Sequence, residues 1–344
     1  MTTAPVLRVE GLRMYYTTMA GDVKAVDGID FEVGEREILG IVGESGCGKS
    51  SLASTLLKLL PHNSKIVGGK VLLEGQDLVH VSDADMRRKV RWTKIALIPQ
   101  GAMNALNPIF RVGDQISEAI TVHTDTSRSE ARVRTGELLK LVGVDPSRAR
   151  DFPHEFSGGM KQRAMIAMSL ALNPRILIAD EPTTALDVIV QAGIIRLLMS
   201  IRDEFGTSII LISHDLALVA QMSDKTAIMY AGQFVEYGRS VEVYGTPLHP
   251  YTMGLVEAFA DIRKPKASLT SIPGSPPNLI TPPQGCRFSP RCPYAQDICR
   301  SKDPQLEMAT PGHMVSCHFW KEIRAEQVSQ GEREVSRTEG VISS

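Results

Sequence analysis

Residues 43–50 read Gly-Glu-Ser-Gly-Cys-Gly-Lys-Ser, the spacing G-x-x-x-x-G-K-S, set between the apolar run Ile38–Val42 and the amphipathic stretch Ser51–Leu60. Gly43, Gly46 and Gly48 let the backbone curl so that its N–H groups face a phosphate. The helix that follows adds a favourable dipole at its N-terminus, Lys49 adds a point charge, and Ser50 can ligate Mg2+. Cys47 falls at a variable position of this spacing and reads as a small filler, not a redox thiol. A second group, Arg175 to Glu181, is an apolar strand run ending in two carboxylates. Strand side chains alternate, so Asp180 can hold the Mg2+ shell against the phosphates while Glu181 polarises an attacking water.

Four of the five cysteines, Cys286, Cys292, Cys299 and Cys317, crowd into one segment with the spacing C-x5-C-x6-C-x17-C. Four soft ligands suit an iron–sulfur cluster or tetrahedral zinc. The paired C-x2-C knuckles usual for zinc are missing, and thiols that simply pack are the bland alternative. His313 and His318 are the nearest nitrogen donors.

The elements that must position these groups are legible as pattern. Short β-branched runs at Val6–Val9, Glu37–Val42, Lys70–Leu73, Ile95–Ile98, Ile176–Ala179, Ser208–Ile212 and Thr226–Tyr230 read as strands, which predicts an α/β fold with a substantially parallel sheet. Between Ile98 and Ile176 the strand pattern gives way to helical spacing over Val112–Val122, Glu130–Val142 and Gly158–Leu172, an inserted helical subdomain of about residues 102–172. Past Tyr244 ten prolines up to Pro293, among them Pro250 and Pro265, break long helices and central strands. A small loop-rich domain is expected over 246–325, after a first domain of 1–245. Residues 326–344 are polar and read as a disordered tail. Arg87–Arg91 reads as a solvated basic face, and Met160, Met165 and Met168 as core.

Composition limits the functions available. Lys plus Arg number 38 against 39 Asp plus Glu, so a broad nucleic-acid footprint is not expected. The longest apolar stretch, near Ala164–Leu172, is about half of the ~18 residues a bilayer crossing needs, and the N-terminus lacks a signal pattern. The chain is expected in the cytosol.

Between the two phosphate-site motifs lies Phe156-Ser-Gly-Gly-Met-Lys-Gln-Arg163, which resembles the signature of ATP-binding cassette (ABC) ATPases. Gln100 after the strand IALIP resembles the Q-loop glutamine, Thr184–Asp187 the D-loop, and His214 after SIILIS the switch histidine. The resemblance covers about residues 6–240. It implies a P-loop NTPase core in which a RecA-like parallel sheet is joined by an antiparallel β subdomain. ATP and Mg2+ are implied as ligands. Tyr16, with Tyr15 as the weaker neighbour, would stack on adenine, and Ser45, Ser51 and the glycine loop would line the phosphates. Glu181, His214, Gln100 and Lys49 are the implied catalytic groups, with Ser50, Gln100 and Asp180 around Mg2+. Two cassettes are expected to sandwich ATP head to tail, Ser157, Gly158 and Gly159 of one facing the phosphate loop of the other and Asp187 coupling the sites. Met160 stands where many relatives have Gln, and Gly101 follows Gln100 where an acidic residue is common.

The phrases Thr246-Pro-Leu-His-Pro-Tyr-Thr and Cys-Arg-Phe-Ser-Pro-Arg-Cys-Pro resemble the C-terminal extension of oligopeptide/dipeptide importer ATPases. That resemblance implies a [4Fe–4S] cluster on the four cysteines and peripheral placement on the cytoplasmic face of the membrane. A paralogous ATPase in a heterodimer, two transmembrane permease subunits and an extracytoplasmic solute-binding protein are the implied partners. Peptide is the expected cargo and oligosaccharide the alternative; a soluble ABC ATPase or an ATP-dependent regulatory module ranks below both.

Overall fold

The structure, a computed structural model, describes residues 4–261 and 272–329. The chain begins with β1 (Leu7–Thr18) and β2 (Gly21–Val33), an antiparallel hairpin whose register is interrupted by bulges. Next, β3 (Ile38–Val42) is buried at every residue, as a central parallel strand must be, and the glycine turn delivers the chain into α1 (Lys49–Leu56). β4 (Ser64–Leu73) returns to pair with β1 and carries the short β5 (Gln76–Asp77), giving a four-stranded antiparallel sheet of order β2-β1-β4-β5.

After the single turn α2 (Asp83–Asp85), β6 (Ile95–Ile98) enters the second sheet. Three helices then leave it: α3 (Val112–His123), α4 (Arg128–Leu141) and α5 (Gly158–Ser169). A reciprocal Ser127–Glu130 capping box starts α4, and the Ser157 hydroxyl, accepting from Met160 N–H, starts α5. The chain re-enters the sheet as β7 (Ile176–Asp180) and continues through α6 (Val188–Phe205), β8 (Ser208–Ser213), α7 (Leu216–Met222), β9 (Lys225–Tyr230) and β10 (Gln233–Arg239).

The remaining elements are α8 (Ser240–Gly245), α9 (Pro250–Asp261), α10 (Asp297–Ser301), β11 (Glu307–Thr310), β12 (His313–Val315) and a helix over 320–329. Pro250 opens α9 instead of breaking it, since the first turn has no use for its missing N–H. The helix over 320–329 enters the stretch expected as a tail, whose remainder, 330–344, lies outside the described residues, as does Pro265.

The second sheet runs β11-β12-β10-β9-β3-β8-β7-β6, with β9, β3, β8, β7 and β6 parallel. Its far strands β11 and β12 come from the Pro/Cys-rich segment, so that segment extends the main sheet through β10. Alternation along the strands sorts the core onto two faces. Ile38, Leu177, Ile209 and Leu211 face the helices, whereas Leu39, Ile41, Ile178 and Ile210 face α1 and the first sheet. Each such residue is fully buried, which favours the fold by about 1.5–3 kcal/mol apiece. No described helix is long and apolar enough to cross a membrane.

Candidate active site

Because β3, β6, β7 and β8 are parallel, the residues that follow them emerge at one edge of the sheet, where ligands of open α/β sheets bind. The 43–50 turn, Gln100, Glu181 and His214 all come from these exits. The turn can only be built with glycine at its tight points. Gly48 has φ of 114°, and a Cβ on it would stand 2.1 Å from the Ala25 carbonyl oxygen. One on Gly43 would stand 2.1 Å from that of Met229. Gly48 also serves as N-cap of α1 without any side-chain cap, so the first-turn N–H groups remain for a ligand. Lys49 is 6% exposed, its Nζ donating to the carbonyls of Gly43 (2.7 Å) and Glu44 (2.9 Å). Ser45, Gly46 and Ser50 lie exposed around it.

Asp180 is buried, and one of its oxygens, Oδ1, has no hydrogen-bond partner among the described residues. Burial pushes its carboxyl above the ordinary carboxylate range; the Ser50 hydroxyl and the Lys49 charge pull the other way, and Glu181 adds to the rise. An orphaned, partly desolvated carboxylate oxygen beside a serine hydroxyl fits a hard divalent cation such as Mg2+. Glu181 adopts φ of 49°, a left-handed backbone that is uncommon outside glycine. Its carboxylate gathers three side chains: Gln100 Nε2 at 3.2 Å, Thr184 Oγ1 at 3.0 Å and His214 Nδ1 at 3.2 Å. Gln100, Glu181 and His214 are therefore brought together, and Thr184, noted in the sequence only as the first residue of the D-loop, is a fourth member.

Tyr16 is linked to this turn by a 3.0 Å hydrogen bond between its hydroxyl and that of Ser51. Tyr15, on the other side of the strand, donates to Asp27 at 2.6 Å and is occupied there. Ser157, Gly158 and Gly159 are not brought to the turn: no hydrogen bond joins them to residues 43–51 among the described residues. They pack instead against the start of α6, where a Cβ on Gly159 would be 2.8 Å from Val190 Cγ1. Asp187 caps α6, accepting from Val190 N–H at 2.9 Å.

The cysteine segment requires a correction. Cys286, Cys292, Cys299 and Cys317 are free thiols lining one cavity of about 10 Å3, room for a single water. No group of three or more His, Cys, Asp or Glu side chains among the described residues is arranged to hold a metal ion, which removes the expected [4Fe–4S] cluster and the zinc alternative. Burial among apolar neighbours pushes the Cys286 and Cys317 thiols up to about 12 and raises that of Cys292.

What organises this segment is aromatic packing and two arginines. The rings of Tyr230, Tyr251 and Phe288 lie 4.7–5.4 Å apart by centroid. Arg287 pairs with Asp27 and donates to the Ala231 carbonyl at 2.5 Å, while Arg291 makes two bonds to Glu44, at 2.8 and 2.9 Å. Glu44, Arg287, Arg291 and Tyr251 stand inside the motifs quoted from the sequence but are given no role there, and Asp27 lies outside them. Only the packing of distant segments places them here.

Comparison with known proteins bears on this arrangement. The profile of the family described as "ABC transporter" matches residues 26–184, and that of "Oligopeptide/dipeptide transporter, C-terminal region" matches residues 235–299. The chain is 45% identical over 313 residues to the oligopeptide transport ATP-binding protein of Escherichia coli, covering 90% of this chain and 92% of that one. It is 44% identical over 324 residues to the dipeptide transport ATP-binding protein of Bacillus subtilis, covering 93% and 96%. Among solved structures, a dimeric ATP-binding cassette in a post-hydrolysis state with ADP and phosphate aligns with TM-score 0.62 and 25% identity, over 68% of this chain and 98% of that chain.

Proposed function

This chain belongs to the ABC transporter ATPases, with the C-terminal region of their oligopeptide/dipeptide branch, and on that premise we propose that it binds and hydrolyses ATP to energise peptide import. The observation that carries the chemistry is the set Gln100, Glu181 and His214, gathered around one carboxylate at the strand edge that also holds Lys49 and Asp180.

In this reading the N–H groups of residues 46–51 cradle the phosphates, and Lys49 exchanges its two carbonyl partners for phosphate oxygens. Tyr16 takes the adenine face, with Gly43 and Ser45 completing the loop. Ser50, Asp180 and Gln100 would hold Mg2+, which when bound screens the phosphate charge. Glu181 orients the attacking water, and His214 contacts the γ-phosphate from the other side of Glu181. Thr184 fixes the remaining face of the Glu181 carboxylate.

The site is completed in trans, Ser157, Gly158 and Gly159 of one cassette meeting the phosphate loop of a second; a solved cassette to which this chain is similar is dimeric. We assign the second cassette to a paralogous ATPase. The pair would sit on the cytoplasmic face beneath two permease subunits fed by a solute-binding protein. Peptide as cargo, in preference to oligosaccharide, rests on the matched C-terminal profile and both named relatives.

Glu181→Gln tests this directly. It should bind ATP like the parent and lose at least about 100-fold in turnover, the usual scale for removing a group that handles a proton in the transition state. Undiminished steady-state hydrolysis by the assembled complex would refute the assignment of Glu181, and sugars instead of peptides on the co-purified binding protein would refute the cargo.

A further inference from the structure

We propose that Arg291, in the C-terminal region, is a positioning residue for triphosphate binding: it neutralises and fixes Glu44, the second residue of the phosphate loop. The proposal rests on the reading that residues 43–51 bind the phosphates. Every polar group of Glu44 is committed. Its N–H donates to the Tyr251 hydroxyl at 2.9 Å, its carbonyl accepts from Lys49 Nζ at 2.9 Å, and its carboxylate accepts both arms of the Arg291 guanidinium. Arg291 is itself held. It is 8% exposed, its Nε donates to the Pro273 carbonyl at 2.7 Å, and its guanidinium lies over the Tyr230 and Phe288 rings at 5.7 and 5.8 Å from their centroids. A planar two-pronged pair of this kind fixes orientation as well as charge.

The consequence for the ligand is electrostatic. A carboxylate next to Gly43 and Lys49 repels an incoming triphosphate unless a cation compensates it. Arg291 is the compensating cation, supplied from 247 residues away in sequence. Arg287 acts in parallel on the other wall, joining Asp27 of the hairpin that carries Tyr16 to the Ala231 carbonyl. The cysteine-flanked Arg-Phe-Ser-Pro-Arg stretch thereby braces both the loop and the hairpin around the nucleotide.

The experiment compares ATP affinity by titration calorimetry for the full-length parent, Arg291→Ala, Glu44→Gln and the double variant, with steady-state KM and kcat for ATP in the assembled complex. Arg291→Ala should weaken ATP binding about tenfold or more, the scale for leaving the other member of a charge pair unmatched, and should move KM more than kcat. Removing the stranded carboxylate in the double variant should restore affinity to within about threefold of the parent. Affinity within about twofold of the parent in folded Arg291→Ala, or a double variant no better than the single, would overturn the proposal.

If Arg291→Ala does not fold, Arg291→Lys keeps the charge and loses the fork. It should bind ATP roughly three- to tenfold more weakly, and parent affinity there would overturn the positioning role. A parent chain that does not bind ATP would instead remove the phosphate-loop reading itself, and the proposal with it.

Discussion

At the scale of single residues, Asp180 is a carboxylate kept where an ionised group is unfavourable. Burial raises it, and Oδ1 has no hydrogen-bond partner among the described residues. A carboxyl raised on folding disfavours the folded state once pH passes the unfolded value, because the folded chain then holds the proton more tightly than the unfolded one. The expected outcome is that Asp180→Asn melts higher than the parent at neutral pH without nucleotide, by roughly 2–4 °C for each kcal/mol recovered in a chain of this size. In acid, where the carboxyl is protonated both folded and unfolded, the gain should vanish. The same variant should lose Mg2+-dependent ATP turnover. Melting curves across pH, with and without Mg2+ and ATP, check both halves; a parent more stable than Asp180→Asn at neutral pH without ligand contradicts the account. Asp180 was legible because strand, carboxylate and phosphate loop are chemical requirements written in residue type. Glu44 was not, since nothing at its own position announces a partner at 291.

At the scale of elements, the helices between β6 and β7 followed from apolar spacing, whereas most of the first sheet did not. Only the starts of β1 and the end of β4 carry a strand pattern; bulges break the alternation in β1, and β2 is largely half-buried. The basic run Arg87–Arg91 is a second case. Arg88 and Lys89 are exposed and pair with Asp85, as a solvated face would. Arg91 instead turns inward, donating from Nε to the Leu57 carbonyl at 2.8 Å and from a terminal nitrogen to that of Lys58 at 2.7 Å. These carbonyls lie just past α1, so the guanidinium caps the helix that carries Lys49 and Ser50 and complements its dipole. Arg91→Met should cost about 1–3 kcal/mol, read as a lower urea midpoint with unchanged slope, while KM for ATP stays put. A midpoint equal to the parent's would make the contact incidental.

At the scale of the whole molecule, the two segments proposed to meet a nucleotide from opposite cassettes are held apart by the fold of their own chain. Residues 43–51 sit at the exits of the central strands, and Ser157–Gly159 sit at the start of α5, locked to α6 by the close approach of Gly159 to Val190. Next to that joint, Val188 and Ile189 are 79% and 83% exposed, an apolar pair beside Asp187 that a second cassette would cover. This geometry separates binding from turnover. A bulky cation in place of Ser157 should leave ATP binding by the isolated chain close to the parent's, because Ser157 makes no bond to its own phosphate loop. In the assembled transporter the same Ser157→Arg change should block closure over the partner's γ-phosphate and lower turnover at least about 100-fold, as losing a helix N-terminus aimed at developing charge does. Nucleotide titration of the isolated chain and hydrolysis by the reconstituted complex form the pair of measurements. If affinity in the isolated chain collapses along with turnover, Ser157 serves the site of its own chain; if neither changes, the α5 start does not face a nucleotide at all.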